Sequence, residues 1–189
     1  LGFSEDERDS LWPGVLHRDI KPDNIMITRS PDGALHAKLT DFGIAASLSQ
    51  DMNVTEDGSG VVVGTPAYMA PEQVQQCGVY GPALDLYALG TTLYRVLSGA
   101  LPFSKGGMAL LVARVTDDPA PLMSREGTPI PSGLRDLIMK LLARQPEARY
   151  AMAADVIRDL APFCASPVVT RDTWQAIRRS IDPRPYFIE

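Results

Sequence analysis

Residues 17–24 of this chain read HRDIKPDN, a polar cluster that lies between two short apolar runs. Within it, the carboxylate of Asp19 can orient a hydroxyl group and accept its proton. Lys21 places a positive charge two residues further on, and Pro22 restricts the backbone between the polar groups. Asn24 offers a neutral oxygen, a ligand type that hard cations bind. The cluster therefore combines a candidate base, a positive charge and a candidate metal ligand in one short loop.

A second candidate carboxylate follows a predicted β-hairpin. Residues 25–27 and 37–40 read as two short strands, and residues 30–33, with the sequence SPDG, supply the turn between them. Asp41 comes directly after the second strand, so its carboxylate is held at a rigid strand end. Because the polar cluster directly precedes the hairpin, we expect Asp41 to lie near that cluster.

Size and composition are those of one globular domain. The chain has 189 residues, of which 45% are hydrophobic and 22% are charged, and its formal net charge is −5. This acidic balance gives no basic footprint for nucleic acid, and no apolar run approaches roughly 20 residues, the length that spans a bilayer. The two cysteines, Cys77 and Cys164, predict buried thiols and a reducing, cytoplasmic compartment. Whether a longer protein is anchored to a membrane stays open.

The second half of the chain has a helical pattern of apolar side chains. Four helices are predicted, over residues 83–97, 108–115, 134–142 and 151–160. Ser132 is the predicted cap of the third. The first is apolar on almost every face, which predicts a buried helix. Asp85 lies inside this helix, where a carboxylate needs hydrogen bonds or an ion partner.

Two further motifs, taken together with residues 17–24, resemble those of the protein kinase family. Residues 41–43 read DFG, and residues 64–72 read GTPAYMAPE and end in the APE motif. The order and spacing of these motifs are similar to those of the family over residues 15–160, most of the chain. The KPD sequence of residues 21–23 resembles serine/threonine kinases, and the GTPAYMAPE segment looks most like that of bacterial members.

The resemblance implies a protein-kinase-like α+β fold. This chain corresponds to the carboxyl-terminal lobe, mostly α-helical, with a short β-hairpin that carries the catalytic and metal-binding loops. Only 14 residues precede Val15, and they hold no Gly-rich loop or strand lysine, so we expect the β-rich amino-terminal lobe to be a missing partner. The predicted division is a remnant or insertion over residues 1–14, the lobe over 15–161, and a tail or linker over 162–189.

The same resemblance implies a function and a role for each polar residue. A serine/threonine protein kinase transfers the γ-phosphoryl group of ATP, bound with Mg²⁺, to Ser or Thr hydroxyls of protein substrates. Asp19 corresponds to the catalytic base, and Lys21 to the residue that stabilises charge on the phosphoryl group. Lys21, Asn24 and Asp41 would bind the nucleotide, the last two by holding Mg²⁺.

The segment between the DFG and APE motifs corresponds to the activation segment of the family. It is polar and acidic, which predicts a long functional loop. Phosphorylation at Thr55 or Ser59 would give Arg18 a phosphate to pair with and would order the segment. The alternative, that these hydroxyls are incidental, stays open. In similar kinases a threonine at the place of Thr65 contacts the catalytic aspartate and lysine, which favours Ser/Thr substrates.

Three residues resemble structural rather than catalytic positions of the family. Asp85 matches the helix aspartate that anchors the backbone of the catalytic loop. Glu72, in the APE motif, and Arg149, late in the chain, match two residues that form an ion pair.

Two other functions remain as alternatives. The chain could be a truncated kinase-like half-domain that acts as a non-catalytic binding or regulatory module. It could also belong to a small-molecule kinase, but phosphotransferases of that kind with a related loop lack the APE segment.

Overall fold

The structure, a computed structural model of the chain, describes residues 16–29, 31, 33, 35–41, 66–75 and 81–164. Two strands come first, β1 (Ile25–Arg29) and β2 (Leu35–Leu39), after a 3-10 turn at Pro22–Asn24. Two more 3-10 turns lie at Pro66–Tyr68 and Pro146–Ala148. The α-helices of the described part are α1 (Pro71–Val74), α2 (Pro82–Ser98), α3 (Met108–Thr116), α4 (Ser132–Leu141) and α5 (Ala153–Cys164). The described chain is therefore mostly helical, with one two-stranded sheet.

Strands β1 and β2 form the predicted antiparallel hairpin. Ile25 pairs with Leu39 at its open end, and the pairing continues to Arg29, further toward the turn than the sequence predicts. Strand β2 ends before Thr40, whose backbone amide donates a 2.9 Å hydrogen bond to the carbonyl oxygen of Asn24. The open end of the hairpin thus joins the residue that precedes β1 to the residue that follows β2.

The hydrophobic core lies mainly between α2 and α4. Its buried side chains from these two helices are Leu84, Leu86, Tyr87, Tyr94, Leu137, Ile138 and Leu141. Burying one such side chain contributes about 1.5–3 kcal/mol. The helices approach closely at Gly90, where an added Cβ would lie 2.7 Å from the Cβ of Leu141. Helix α2 ends at Gly99, whose φ of 72° is the left-handed conformation that stops helices.

The prediction that α2 is buried on every side was wrong for its last turns. Tyr94 is buried and Leu97 packs against the core, but Arg95 is exposed and the exposed fraction of Val96 is 52%. Residues 95 and 96 lie on the opposite face of the helix from their core-facing neighbours, and core elements cover only one face there. Asp85, expected to be buried, is half-buried for a related reason, because it faces the polar loop of residues 17–24 at the edge of the core.

Three smaller predictions also need correction. Ser132 is the first residue of α4 rather than its cap, because the extended residue Pro131 takes the cap position and makes no side-chain capping bond. Helix α5 continues past Pro162, since a proline in the last turn removes only one backbone hydrogen bond. Cys164, at its end, is a free and exposed thiol rather than a buried one, and Cys77 lies outside the described residues. None of the described helices has the length and apolar character needed to cross a membrane.

Candidate active site

Asp85 holds the start of the polar loop through two backbone amides. Its Oδ2 accepts a 2.7 Å hydrogen bond from the amide of His17, and its Oδ1 accepts a 2.8 Å bond from the amide of Arg18. Arg18 has a φ of 64°, a left-handed conformation that is uncommon for residues other than glycine. Such a conformation costs of order 1–3 kcal/mol and persists only where neighbouring contacts enforce it. The carboxylate of Asp85 therefore fixes the loop backbone from the side of α2.

His17 joins this loop to the hairpin. It is buried, and its Nε2 lies 2.8 Å from the carbonyl oxygen of Thr40. Its Nδ1 accepts a 3.3 Å hydrogen bond from the amide of Asp19, which assigns the proton to Nε2. The imidazole thus connects the loop to the end of β2, and its two hydrogen bonds fix one tautomer.

The carboxylate of Asp19 is held between two nitrogen donors of the same loop. Its Oδ2 lies 2.7 Å from Nζ of Lys21 and accepts a 2.9 Å hydrogen bond from Nδ2 of Asn24. The same amide nitrogen donates a 2.8 Å hydrogen bond to the backbone oxygen of Asp19. The 3-10 turn that contains Pro22 brings these groups together, as the spacing in the sequence predicts. The exposed fraction of the Asp19 side chain is 33%, so a substrate can reach it.

Asn24 and Asp41 lie at the same end of the hairpin. The backbone amide and the Oγ1 of Thr40 both donate hydrogen bonds to the carbonyl oxygen of Asn24, at 2.9 and 3.2 Å. Asp41 is the residue that follows Thr40. Asp41 is exposed and has a φ of 59°, so its backbone turns away from the strand direction at that point. The structure thus places the amide of Asn24 beside Asp19, and it places Asp41 one residue beyond the backbone contact with Asn24; that the two hold a metal ion stays a prediction.

The described residues contain no cluster of three or more His, Cys, Asp or Glu side chains that could bind a metal ion by themselves. An asparagine and one carboxylate fit a cation that keeps several other oxygen ligands. Mg²⁺ is such a cation, because it is usually bound through one or two carboxylates together with substrate phosphates. The amide nitrogen of Asn24 is bonded to Asp19, which leaves its oxygen for a cation.

Several predicted residues lie outside the described part of the chain. They are Phe42, Gly43, Thr55, Ser59 and Thr65. The predicted pairing of Arg18 with a phosphate on the activation segment therefore stays a prediction, although Arg18 is exposed beside Asp19.

Glu72 and Arg149 form the ion pair that the resemblance implied. The two nitrogens Nη1 and Nη2 of Arg149 donate to Oε1 and Oε2 of Glu72 at 2.7 and 2.8 Å. Arg149 also donates to the carbonyl oxygens of Ala83, Ala143 and Arg144, and its guanidinium lies 4.8 Å from the centre of the Tyr87 ring. One buried arginine thus joins α1, the start of α2 and the loop after α4.

Arg114 is a buried residue that sequence reasoning missed. Only 1% of it is exposed, although it lies in the apolar helix α3. Its guanidinium donates to the carbonyl oxygens of Ala67 and Met69, the second at 2.6 Å, and to the hydroxyl of Tyr87 at 3.3 Å. Burial lowers the pKa of Arg114, while Tyr87 opposes that shift. A lone arginine within an apolar helical pattern was the available signal.

A second missed contact fixes the same segment. Arg95 donates a 3.1 Å hydrogen bond to the hydroxyl of Tyr68, which is buried in the 3-10 turn before α1. Burial raises the pKa of Tyr68, and the charge of Arg95 opposes that increase. Helices α2 and α3 thus each provide one arginine that positions residues 66–69.

Comparisons with known proteins identify the family of this chain. The protein kinase domain family matches residues 12–159. The chain is 43% identical over 141 residues to the serine/threonine-protein kinase Pkn1 of Myxococcus xanthus, covering 75% of this chain and 20% of that protein. It is 40% identical over 151 residues to the serine/threonine-protein kinase PknB of Mycobacterium tuberculosis, covering 78% of this chain and 22% of that protein. The chain thus spans about a fifth of the length of these relatives.

Solved structures show the same fold. The crystal structure of the Rad53 kinase domain and SCD2 superposes with a TM-score of 0.58 at 25% identity, over 86% of this chain and 56% of that chain. A second structure of that pair, in complex with AMPPNP, gives a TM-score of 0.54 at 27% identity, over 82% and 52% of the two chains. With the family match over most of its length, this chain belongs to the protein kinase family and is similar to bacterial serine/threonine kinases.

Proposed function

We propose that this chain carries the phosphoryl-transfer site of a serine/threonine protein kinase. The reaction would transfer the γ-phosphoryl group of ATP to Ser or Thr hydroxyls of protein substrates. The observation that carries the proposal is the carboxylate of Asp19, which is half-buried and fixed between an ammonium group and an amide group. An incidental surface carboxylate would not be expected to have two such partners, nor to lie in a loop that Asp85 anchors.

Asp19 has the position and chemistry of the base. Its contacts with Lys21 and Asn24 both use Oδ2. Within the described residues Oδ1 is therefore left to accept a hydrogen bond from an acceptor hydroxyl. The bonds to Oδ2 fix the direction of the carboxylate, and a positioned acid or base contributes typically about 10²–10⁴-fold to rate.

Lys21 supplies positive charge beside the acceptor site. Its Nζ lies 2.7 Å from Asp19, and 18% of its side chain is exposed, so the ammonium group reaches both the base and the open face of the loop. A transferred phosphoryl group gains stabilisation from a fixed cation that needs no reorganisation during the reaction. The ammonium group would also hold the hydroxyl and the phosphoryl group in line.

Asn24 and Asp41 would hold Mg²⁺ with the nucleotide. The oxygen of Asn24 is left for a cation because its nitrogen is bonded to Asp19, and the carboxylate of Asp41 is exposed at the same end of the hairpin. Mg²⁺ held there would neutralise negative charge on the phosphates of the nucleotide. Thr40 fixes the spacing between the two ligands through its bonds to the backbone of Asn24.

The experiment replaces Asp19 with asparagine in the protein that contains this chain. Asparagine keeps an oxygen for Lys21 and Asn24, so the loop geometry is retained while the base is lost. We expect transfer from labelled ATP to a generic basic protein to fall by about 100-fold or more. Circular dichroism and thermal unfolding should stay unchanged.

Asp23→Asn is the matched control. Asp23 is an exposed carboxylate of the same loop, four residues from Asp19, and its replacement should leave transfer within about twofold if only the base matters. Full transfer by the Asp19→Asn protein would refute the assignment of the base. Saturable protein binding without any transfer by the unsubstituted protein would favour the non-catalytic module. Transfer to sugars or aminoglycosides instead of protein would favour a small-molecule kinase.

A further inference from the structure

The 3-10 turn that precedes α1 is held in place by side chains from two helices that come much later in the sequence. Arg114, on α3, donates hydrogen bonds to the carbonyl oxygens of Ala67 and Met69, the second at 2.6 Å. Arg95, in the last turn of α2, donates a 3.1 Å hydrogen bond to the hydroxyl of Tyr68. We call these two arginines the arginine clamp. The clamp fixes both the backbone and the tyrosine side chain of this short turn.

Core stability alone does not account for the arginine on α3. Only 1% of Arg114 is exposed, and its hydrogen-bond acceptors among the described residues are neutral oxygens. Leu110 and Leu111, one turn earlier on the same face of the helix, are buried as well. An apolar side chain at position 114 would therefore pack there without the cost of burying a charge. What a guanidinium adds is a rigid fork of donors, which sets the positions of two backbone carbonyl groups.

Helix α2 connects the arginine clamp to the candidate active site. Asp85 binds two amides of the polar loop, and Arg95 lies ten positions further along the same helix. Ten residues of an α-helix span about 15 Å. An extended peptide rises about 3.3 Å per residue, so an acceptor segment of about five residues covers that distance. A protein whose serine or threonine hydroxyl lies at Asp19 can therefore contact the turn through residues that are close to that hydroxyl in its own chain.

The electrostatics of Tyr68 also associate the turn with the polar loop. Burial raises the pKa of Tyr68, the charge of Arg95 opposes that increase, and the negative charge of Asp23 adds to it. Charges at the surface that are more than about 10 Å apart are largely screened from each other. Asp23 belongs to the polar loop and lies four residues from Asp19, so the turn and the candidate base belong to one region of the surface.

We propose that Arg95 and Arg114 are positioning residues that set the affinity of the site for its protein acceptor. They would act through residues 67–69, which they hold in the place where the chain of the acceptor passes. The inference rests on the proposed function, because it assigns the part of that site that would bind the acceptor. Loss of the arginine clamp would weaken acceptor binding. It would leave ATP binding intact, since the candidate nucleotide ligands lie in the polar loop and at the end of the hairpin.

Steady-state kinetics of the protein that contains this chain test the proposal, with labelled ATP and a generic basic protein as the acceptor. Arg114→Met removes two charge-assisted hydrogen bonds and should raise KM for the acceptor by about tenfold or more. Arg95→Met removes one bond, to a hydroxyl, and should raise it by about threefold. For both variants KM for ATP should stay within about twofold, the pattern of a selective loss of acceptor binding. Equal increases in the two KM values would overturn the proposal, because they would indicate a general disturbance of the fold.

Two further variants separate positioning from packing. Arg114→Lys keeps the positive charge, but an ammonium group cannot act as a planar fork toward two carbonyl oxygens. Its KM for the acceptor should therefore lie between the values of the unsubstituted protein and of Arg114→Met. Arg135→Met is the matched control, since Arg135 is an exposed arginine of α4 that contacts the backbone of Ile130, and it should leave both KM values unchanged.

Circular dichroism without substrates establishes that each variant is folded. Because Arg95 is exposed, Arg95→Met keeps the test decisive if Arg114→Met does not fold. Fluorescence anisotropy of the labelled acceptor measures its Kd without catalysis, and this Kd should rise in the same order as KM. Acceptor binding without transfer by the unsubstituted protein would contradict the proposed function, while the Kd values would still decide the role of the clamp. An unchanged Kd and KM for the acceptor in the Arg95→Met protein would refute the inference.

Discussion

Replacing Glu72 with glutamine tests the energetics of the buried ion pair that joins α1 to the rest of the helical core. The side chain of Arg149 is fully buried and that of Glu72 is only 10% exposed. When one charge of such a pair is removed, the other cannot be solvated by water. Breaking a buried pair in this way costs about 3–5 kcal/mol.

The geometry places the expected loss of stability for Glu72→Gln at the lower end of that range. Arg149 keeps three backbone carbonyl acceptors and the ring of Tyr87 after the substitution. Glutamine also retains one oxygen for one of the two guanidinium bonds, but it turns an NH₂ group toward the other. We therefore expect Glu72→Gln to lower the free energy of unfolding by about 3 kcal/mol. For a chain of this length that corresponds to a fall in Tm of about 6–12 °C.

Urea unfolding followed by far-UV circular dichroism measures this change, and thermal unfolding provides a second measurement. Asp155→Asn is the control, because it breaks the exposed pair of Asp155 with Arg158, whose nitrogen and oxygen lie 2.9 Å apart. An exposed pair contributes only about 0–1 kcal/mol. If Glu72→Gln were no more destabilising than this control, the reasoning from burial would be refuted.

Three other substitutions follow from contacts of α2 and α4. Asp85→Asn leaves one side-chain oxygen for two loop amides, so we expect phosphoryl transfer to fall at least about tenfold and the free energy of unfolding to fall by about 1–3 kcal/mol. Unchanged activity would show that the loop holds its shape without this anchor. Gly90→Ala brings a methyl group 2.7 Å from Cβ of Leu141 and should destabilise by about 1–3 kcal/mol in urea unfolding. The control is Gly133→Ala, whose added methyl group would lie 2.9 Å from only the outer end of the exposed Phe163 ring, and we expect it to be neutral or stabilising by up to about 1 kcal/mol. Equal losses of stability at both glycines would contradict the packing argument.

The polar loop and the hairpin were predictable because they depend on local chemistry. The spacing of Asp19, Lys21 and Asn24 within one short turn is enough to bring these side chains close together, and Asp85 then anchors the start of the loop. The turn residues between the strands fix the hairpin, and the hairpin then places Asp41 beside Asn24. The ends of the helices were less predictable: α5 runs past Pro162 because one missing backbone donor in a last turn is tolerated.

The sequence by itself determined the family, the identity of the candidate catalytic groups and the order of the helices, since these depend on residue types at short spacing. Tertiary structure alone decided which polar groups are buried and what they contact. Nothing local to α3 shows that Arg114 is enclosed, because its acceptors at Ala67 and Met69 lie more than forty positions earlier in the chain.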